Sequence, residues 1–364
     1  MPIPLPITSP RFLIFSKFAE TYRTAMNKPK VTIRDLAKAL GVSTTLVSFA
    51  MSDSPKKHRV SDEMIAKIRA KAKEMDYQPN NAARSLRSGK SNTIGVILSD
   101  ISNRFFADIA RCIEDQVSQN GYTVLFGSTD EKPERLANLI KVFQNKGVEG
   151  LIIVPCEGAE SSISELVASG FPLVLIDRSF DNINVSSVTL NNIKATSLAV
   201  NELFASGYKK IAFVSYKTGL TNILDREMGY RKAMRLKGLE EHICTSEIDY
   251  SSINNELSSL LPKLIKQGTE ALIFSTNRLA IEALIVIQSM GITVPEDIAF
   301  VGFDGSETFA FNLYPKGITY IKQPIEQFGY EAFNLLVANI VADGKTDIVN
   351  IELNPELIVK ESSK

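Results

Sequence analysis

Residues 31–51 read VTIRDLAKALGVSTTLVSFAM, and this stretch decides the first part of the fold. Thr32 stands where a helix N-cap is needed and Asp35 follows three residues later, a capping-box arrangement. Ile33, Leu36, Ala37 and Leu40 then form an apolar stripe at helical spacing, and Gly41 ends the helix. Ser43 caps a second helix in which Val47 and Ala50 face the first, leaving Thr44, Thr45, Ser48 and Phe49 on other faces. Two short helices joined by so tight a break form a helix-turn-helix, whose second helix reads base edges in the major groove.

Working outward, a third helix follows Ser61 and runs to about Tyr77, with Met64, Ile65, Ile68, Ala72 and Met75 available to close a three-helix core. Between the second and third helices lies SDSPKKHRV, where Lys56, Lys57, His58 and Arg59 crowd together after Pro55. Phosphate contact is one role for that run, a solvated loop the other. The segment YQPNNAARSLRSGKSN follows, and AARSLRS within it is too brief to hold a helix alone, which makes it a conditional helix.

From Thr93 the pattern changes to short apolar runs separated by amphipathic helices: IGVIL, YTVLF, GLIIV, PLVLI and SSVTL, then KIAFVS, ALIFS and DIAFVGF. Such alternation predicts parallel sheets covered by helices on both faces, and the length remaining favours two lobes over one. Ligands of open parallel sheets bind beyond the strands' carboxyl ends, so the polar residues there are the place to look.

The zero net charge of the 364-residue chain hides an asymmetry. Between Lys28 and Asn92, 14 Lys and Arg stand against 6 Asp and Glu, a net of +8; residues 1–27 add +2, so the rest carries −10. A basic head suited to phosphate and an acidic body are the expectation. Three widely spaced cysteines, Cys112, Cys156 and Cys244, argue against a disulfide framework or a zinc site. With only His58 and His242, neither a Ser-His-Asp triad nor a multi-histidine metal site is easily assembled. No phosphate-loop or dinucleotide motif occurs, so no metal, cofactor or catalytic residue is expected. Acid-base work by Asp130 with Asp304 is the weaker reading of those two carboxylates. Apolar runs are strand-sized, which excludes membrane spans. Residues 1–27 make a poor secretory signal and are read as an extension, Met26 before NKPKVTIRDLA offering an alternative start.

The chain resembles the lactose-repressor (LacI/GalR) family of bacterial transcription regulators. The likeness rests on VTIRDLAKALGVSTTLVS, YQPNNAARSL, NRFFADI, VPEDIAFVGFD and ITYIKQPIEQFGYEA, in that order along nearly the whole chain from about Val31. It implies an α/β protein with a three-helix helix-turn-helix headpiece (28–77), a hinge helix and linker (78–92) that orders on operator DNA, and a two-lobed body (93–364) resembling periplasmic sugar-binding proteins. The first lobe is expected at about 93–189 and 322–343, the second at about 190–317 and 346–364. The resemblance further implies a cytoplasmic homodimer on palindromic double-stranded operator DNA, switched by a small effector of carbohydrate type. No heptads occur near the C-terminus, in keeping with a dimer.

Carried over by position, DNA contacts fall on Thr32, Ser43, Thr44, Thr45, Ser48, Phe49, Lys56, Lys57, Arg59, Asn81, Ala83, Arg84 and Leu86. Leu86 matches a wedge inserted into the minor groove and Ala83 a small position where two hinge helices meet. Ligand contacts fall on Asn103, Phe105, Phe106, Asp130, Arg178, Arg226, Asn277 and Asp304, with an aromatic ring stacked on the ligand. Three features depart from the family pattern: the long turn SDSPKKHRV, Arg104 in place of a common proline, and Arg278 where an aspartate commonly follows the asparagine. Arg178, Arg226 and Arg278 together would suit a carboxylate or phosphate. Two other classes compete, a binding protein without DNA function and an α/β enzyme with a DNA-binding appendage; the basic head opposes the first, the absent catalytic motifs the second.

Replacing Lys56, Lys57 and Arg59 by alanine should weaken DNA binding on all sequences alike. The slope of log affinity against log salt should flatten by about 0.9 per lost phosphate contact. A titration series between low and moderate salt measures it, and an unchanged slope would leave the run a solvated loop.

Overall fold

The computed structural model describes residues 31–51, 59–78, 90–304, 311, 314–344 and 346–364. The extension 1–27 and the assignments to Lys56, Lys57, Asn81, Ala83, Arg84 and Leu86, with the hinge helix, lie outside the described residues. The chain divides into a unit ending at Lys90 and a unit from Ser91 onward.

In the first unit, helices α1 (Ile33–Leu40), α2 (Thr44–Ala50) and α3 (Asp62–Glu74) form where their caps require. Asp35 donates its N–H to Thr32 Oγ1 at 3.3 Å while Thr32 N–H donates to the Asp35 carboxylate at 2.9 Å, so the capping box is closed both ways. Gly41 takes φ +67°, the left-handed conformation that costs glycine least, and turns the chain into α2. Ser43 and Ser61 accept N–H bonds from Leu46 and Met64 and so start α2 and α3. Leu36, Ala37, Val47, Ala50, Val60, Ile65, Ile68 and Ala72 make the core. Helix α3 stops at Glu74, three residues short of the expected Tyr77, whose N–H bonds back to Ala72 O at 2.8 Å.

The second unit runs β1 (Thr93–Leu98), α4 (Arg104–Gln119), β2 (Thr123–Ser128), α5 (Pro133–Asn145), β3 (Leu151–Ile153), α6 (Glu160–Ala168), β4 (Leu173–Asp177) and β5 (Ser187–Leu190). It continues through α7 (Asn192–Ala205), β6 (Ile211–Tyr216), α8 (Thr221–Leu236), β7 (Cys244–Ile248), α9 (Ile253–Lys266), β8 (Ala271–Phe274), α10 (Asn277–Ser289) and β9 (Ala299–Phe303). The described elements end with β10 (Thr319–Lys322), α11 (Ile325–Val341), β11 (Asn350–Leu353) and β12 (Glu356–Ile358). Two six-stranded sheets result, ordered β11-β5-β4-β3-β1-β2 and β12-β10-β9-β8-β6-β7. All neighbours are parallel except β12, which runs antiparallel to β10. The apolar runs bury both faces of the central strands, as parallel sheets demand.

The lobe boundaries differ from the expected ones. Strand β11, expected in the second lobe, pairs with β5 in the first sheet, and β10 through Lys322 belongs wholly to the second. The chain therefore passes between lobes at Asn191, at Gln323 and Pro324, and between Leu353 and Glu356. The passages are laced together: Asn191 accepts at its Oδ1 from Lys194 N–H and donates from its amide to Glu352, while Lys194 Nζ reaches Asn354.

Helices α7 and α8 pack closely because α8 carries Gly229, where an added Cβ would stand 2.3 Å from Ile193 O and Thr196 Oγ1. Ser197 Oγ also donates to Gly229 O at 3.2 Å. Gly229→Ala must push the helices apart, and overpacking of this kind costs about 1–3 kcal/mol. Thermal denaturation should show a midpoint several degrees lower; an unchanged midpoint would mean the pair relaxes freely.

Candidate functional site

Two surfaces carry the expected residues, each within its own unit. On the head, Thr44 and Thr45 are exposed at the start of α2, and Arg34, Lys38 and Arg59 of the same unit are exposed as well. Thr32 and Ser43 hold the helix N-termini, so their side chains serve the fold whatever else they touch. Ser48 is half-buried, and Phe49 packs against the head core. The outward hydroxyls at the first turn of α2, on a basic surface, are what a major-groove reader needs.

In the body, polar side chains from both sheets meet at the strands' carboxyl ends. Four acids following β2, β4 and β9, or closing them, take left-handed φ: Asp130 +52°, Glu131 +57°, Asp177 +68° and Asp304 +55°. Non-glycine residues adopt that conformation at some cost, and it aims these side chains beyond the strand ends. Arg178 forms a bidentate pair with Glu131 at 2.7 and 2.8 Å and also donates to Pro155 O at 3.1 Å. Its Nε lies 3.4 Å from the Asp177 carboxylate. From the other lobe, Asn222 directs its amide nitrogen at Asp177 at 3.4 Å.

Arg226 on α8 is buried against Phe303, its guanidinium carbon 3.8 Å from the ring centroid, a cation–π contact. It donates to Asn192 Oδ1 at 2.8 Å and to Ser275 O at 2.6 Å. Asn277 donates to Asp304 O at 3.2 Å. Burial pushes the Asp304 carboxyl up to about 7, against the pull of Arg226 and a hydrogen bond from Gln323. Burial likewise raises Asp177, with Arg178 and Arg226 opposing.

The lobes are tied directly along one flank. Glu157 of the first lobe accepts from Thr218 Oγ1 at 2.8 Å and from Gly219 N–H at 3.2 Å, and Thr221 Oγ1 donates to Ser179 O at 3.1 Å. Against this geometry, comparison with known proteins is decisive. Residues 91–359 match the family described as periplasmic binding proteins and sugar binding domain of LacI family, and residues 32–80 match the bacterial regulatory proteins, lacI family.

The chain belongs to the LacI family.

It is a DNA-binding transcriptional regulator with an effector-binding domain, in a family of repressors and not of enzymes. Among curated relatives, the HTH-type transcriptional repressor PurR of Histophilus somni is 29% identical over 342 residues, 92% of this chain and 99% of the relative. The ribose operon repressor of Halalkalibacterium halodurans is 30% identical over 333 residues, 92% of this chain and 97% of the relative. Among solved structures, the lac repressor dimer bound to operator and the anti-inducer ONPF shares the fold with a TM-score of 0.78 at 24% identity, covering 92% of this chain and 99% of that one.

Within this LacI-family body, Arg178, Arg226, Asn277 and Asp304 come together with Asp177. Other expected residues do not join them. Asp130 is exposed, accepts from Ser128 Oγ at 2.9 Å and pairs with Arg135; the Ser128 bond and Arg135 hold its carboxyl below the usual range. Asn103 caps α4 by accepting from Phe105 N–H at 3.1 Å. Phe105 is core, its ring in T-shaped contact with Phe106 at 5.0 Å and with Phe328 at 6.3 Å. Phe106 is as buried but lies 5.9 Å from the Arg178 guanidinium.

The three arginines read as suited to an anion all have partners within the chain. Arg178 is committed to Glu131, Arg226 to Asn192, Ser275 and Phe303, and exposed Arg278 lies over the Tyr250 ring and donates to its hydroxyl at 2.5 Å. Glu131, Asn192, Asn222, Phe303 and Gln323 complete the cluster and were missed by sequence reasoning. Gln323 stood inside the quoted motif ITYIKQP, and Glu131 one residue after the chosen Asp130.

The raised Asp304 has a definite consequence for stability. Between pH 4 and 7 or so the folded protein keeps a proton there that the unfolded chain has released, so this group's contribution is full below the unfolded value and is lost as pH rises through about 7. Asp304→Asn removes the titration. Its melting temperature should gain on the wild type by a few degrees as pH is raised from about 5.5 to 8. Parallel melting curves across that range would show that Asp304 is not held protonated.

Proposed function

We propose that this protein is a repressor whose affinity for palindromic operator DNA is switched by a small effector, a sugar or sugar derivative, held between the two lobes of its body. The observation that carries this reading is the meeting of Asp177 and Arg178 from one lobe with Asn222, Arg226, Asn277 and Asp304 from the other at the strand carboxyl ends. A ligand seated among groups of both lobes favours one arrangement of them, and differential affinity for two arrangements is what a switch requires.

The dimeric assembly and the operator come by analogy from the lac repressor, solved as a dimer on operator with an anti-inducer. A carbohydrate effector is suggested by the matched sugar-binding domain and by a transcriptional regulator CelR solved as its cellobiose complex. The site of action is the bacterial cytoplasm, where the DNA is; among the described residues no helix is long and apolar enough to cross a membrane. No cofactor is needed for such a switch.

A fluorescence-anisotropy titration of operator DNA, with and without any compound that raises the protein's melting temperature, tests the reading. Asn277→Ala and Asp304→Asn should lose the compound's effect while operator affinity without it stays within about threefold, since both changes lie in the body. A normal response from both variants would place the switch elsewhere.

A further inference from the structure

The hydrogen-bonding sense of the cleft follows from who has claimed which atoms. Carboxylates only accept, so they draw the N–H groups of neighbouring amides: Asn222 turns its nitrogen to Asp177, and Gln323 turns its own to Asp304. The two amide oxygens are left over. Asn222 Oδ1 and Gln323 Oε1, on side chains 5% and 3% exposed, have no hydrogen-bond partner among the described residues. Most guanidinium donors are meanwhile engaged, with Glu131 and Pro155 O by Arg178 and with Asn192 and Ser275 O by Arg226, while Arg178 Nε, without a hydrogen bond, lies 3.4 Å from the Asp177 carboxylate. What remains is a set of acceptors, with the unpartnered hydroxyls of Ser99, Ser215 and Ser275 able to serve either way.

The charges point the same way. Around the two guanidiniums, Arg178 and Arg226, stand the carboxyls of Glu131, Asp177 and Asp304, with Asp225 also acting on Arg226. At the rim, Arg278 and Asp100 act on Tyr250 in opposite senses and add nothing to the balance. An anion entering here would meet carbonyl oxygens and carboxyls with its own acceptors. An ammonium, with three donors and no acceptor, matches both the leftover oxygens and the surplus carboxyl.

Resting on the effector reading above, we propose that the ligand is a small polyol bearing an amino group, of amino-sugar type, and that the cleft rejects acid sugars and sugar phosphates. The raised Asp304 fits this scheme: burial disfavours its charge, and at the pH of the test, above about 7, an arriving ammonium favours the ionised form that accepts from it.

The test uses the full chain and calorimetric titration at pH 7.5 with glucosamine, mannosamine and galactosamine, each against its parent hexose, the uronate and the 6-phosphate, at constant ionic strength and up to 10 mM. At least one amine should bind tenfold or more tightly than its parent and its acidic counterparts, and Asp304→Asn should close the gap between amine and parent. A uronate or phosphate that binds more tightly than the amines overturns the proposal, as does failure of every amine to bind, or an amine preference untouched in Asp304→Asn. Operator titrations with the bound compound separate the two readings. Binding of a hexose or phosphate that shifts operator affinity leaves the effector site standing and sinks the amine; binding of an amine without any shift does the reverse.

Discussion

Everything in the body is arranged around one buried guanidinium. Arg226 is almost fully enclosed, and an isolated charge there would be prohibitively costly. Its solvation is replaced piece by piece: the Phe303 ring below, Asn192 and Ser275 O at the edges, and the carboxyls of Asp304 and Asp177 within electrostatic reach. These partners come from the ends of three strands and the start of one helix, and Asp177 belongs to the other lobe. The cation is tolerable only while both lobes contribute. A buried network of this kind gives less stability than specificity of arrangement, since removing one partner exposes the cost of all the rest.

How much of this could be read from residues alone divides along physical lines. The caps at Thr32, Ser43 and Ser61 and the left-handed Gly41 were legible because they are local: each depends on a few neighbouring residues. Seven of the eight strands read as apolar runs are largely buried, and burial on both faces writes such a run; β2, at the edge of the first sheet, carries one although half exposed. Strands β7, β11 and β12 lie at the sheet edges, half exposed and of mixed composition, and so carry no such run. The placement of β11 escaped for a related reason. Its partner β5 lies about 160 residues earlier, and nothing local in NIEL names the lobe it joins.

The site was legible in its positions and not in its commitments. Resemblance located Arg178, Asn277 and Asp304 at strand ends, and expected Arg226 there too although it lies within α8, yet a sequence does not say which charges already have partners. Three arginines near a cleft suggest an anion until Glu131, Asp177 and Asp304 are set beside them. Phe105 shows the same limit in apolar form. An aromatic residue after the first strand looks like a stacking face, whereas Phe106 and Phe328 already occupy its surroundings. The decisive quantity in both cases is the residual capacity of a group after its internal partners are counted, and that is a property of tertiary structure.

The connection between effector and DNA then reduces to how the body's first strand is anchored. Asn92, immediately ahead of β1, donates its N–H to Glu149 at 2.6 Å and accepts from Thr123 N–H at 2.7 Å. Ser91 Oγ accepts from Thr93 N–H at 3.2 Å, so the point at which the chain enters the body is fastened to the first lobe. Any ligand-driven change between the lobes therefore moves this attachment point as one piece with the first sheet. On the proposed homodimeric reading, two such points would face a single operator, and their separation would be the variable that a ligand changes. On that reading the body acts on DNA through where its anchored first strand begins, and the three passages between its lobes tie that strand's sheet to the other.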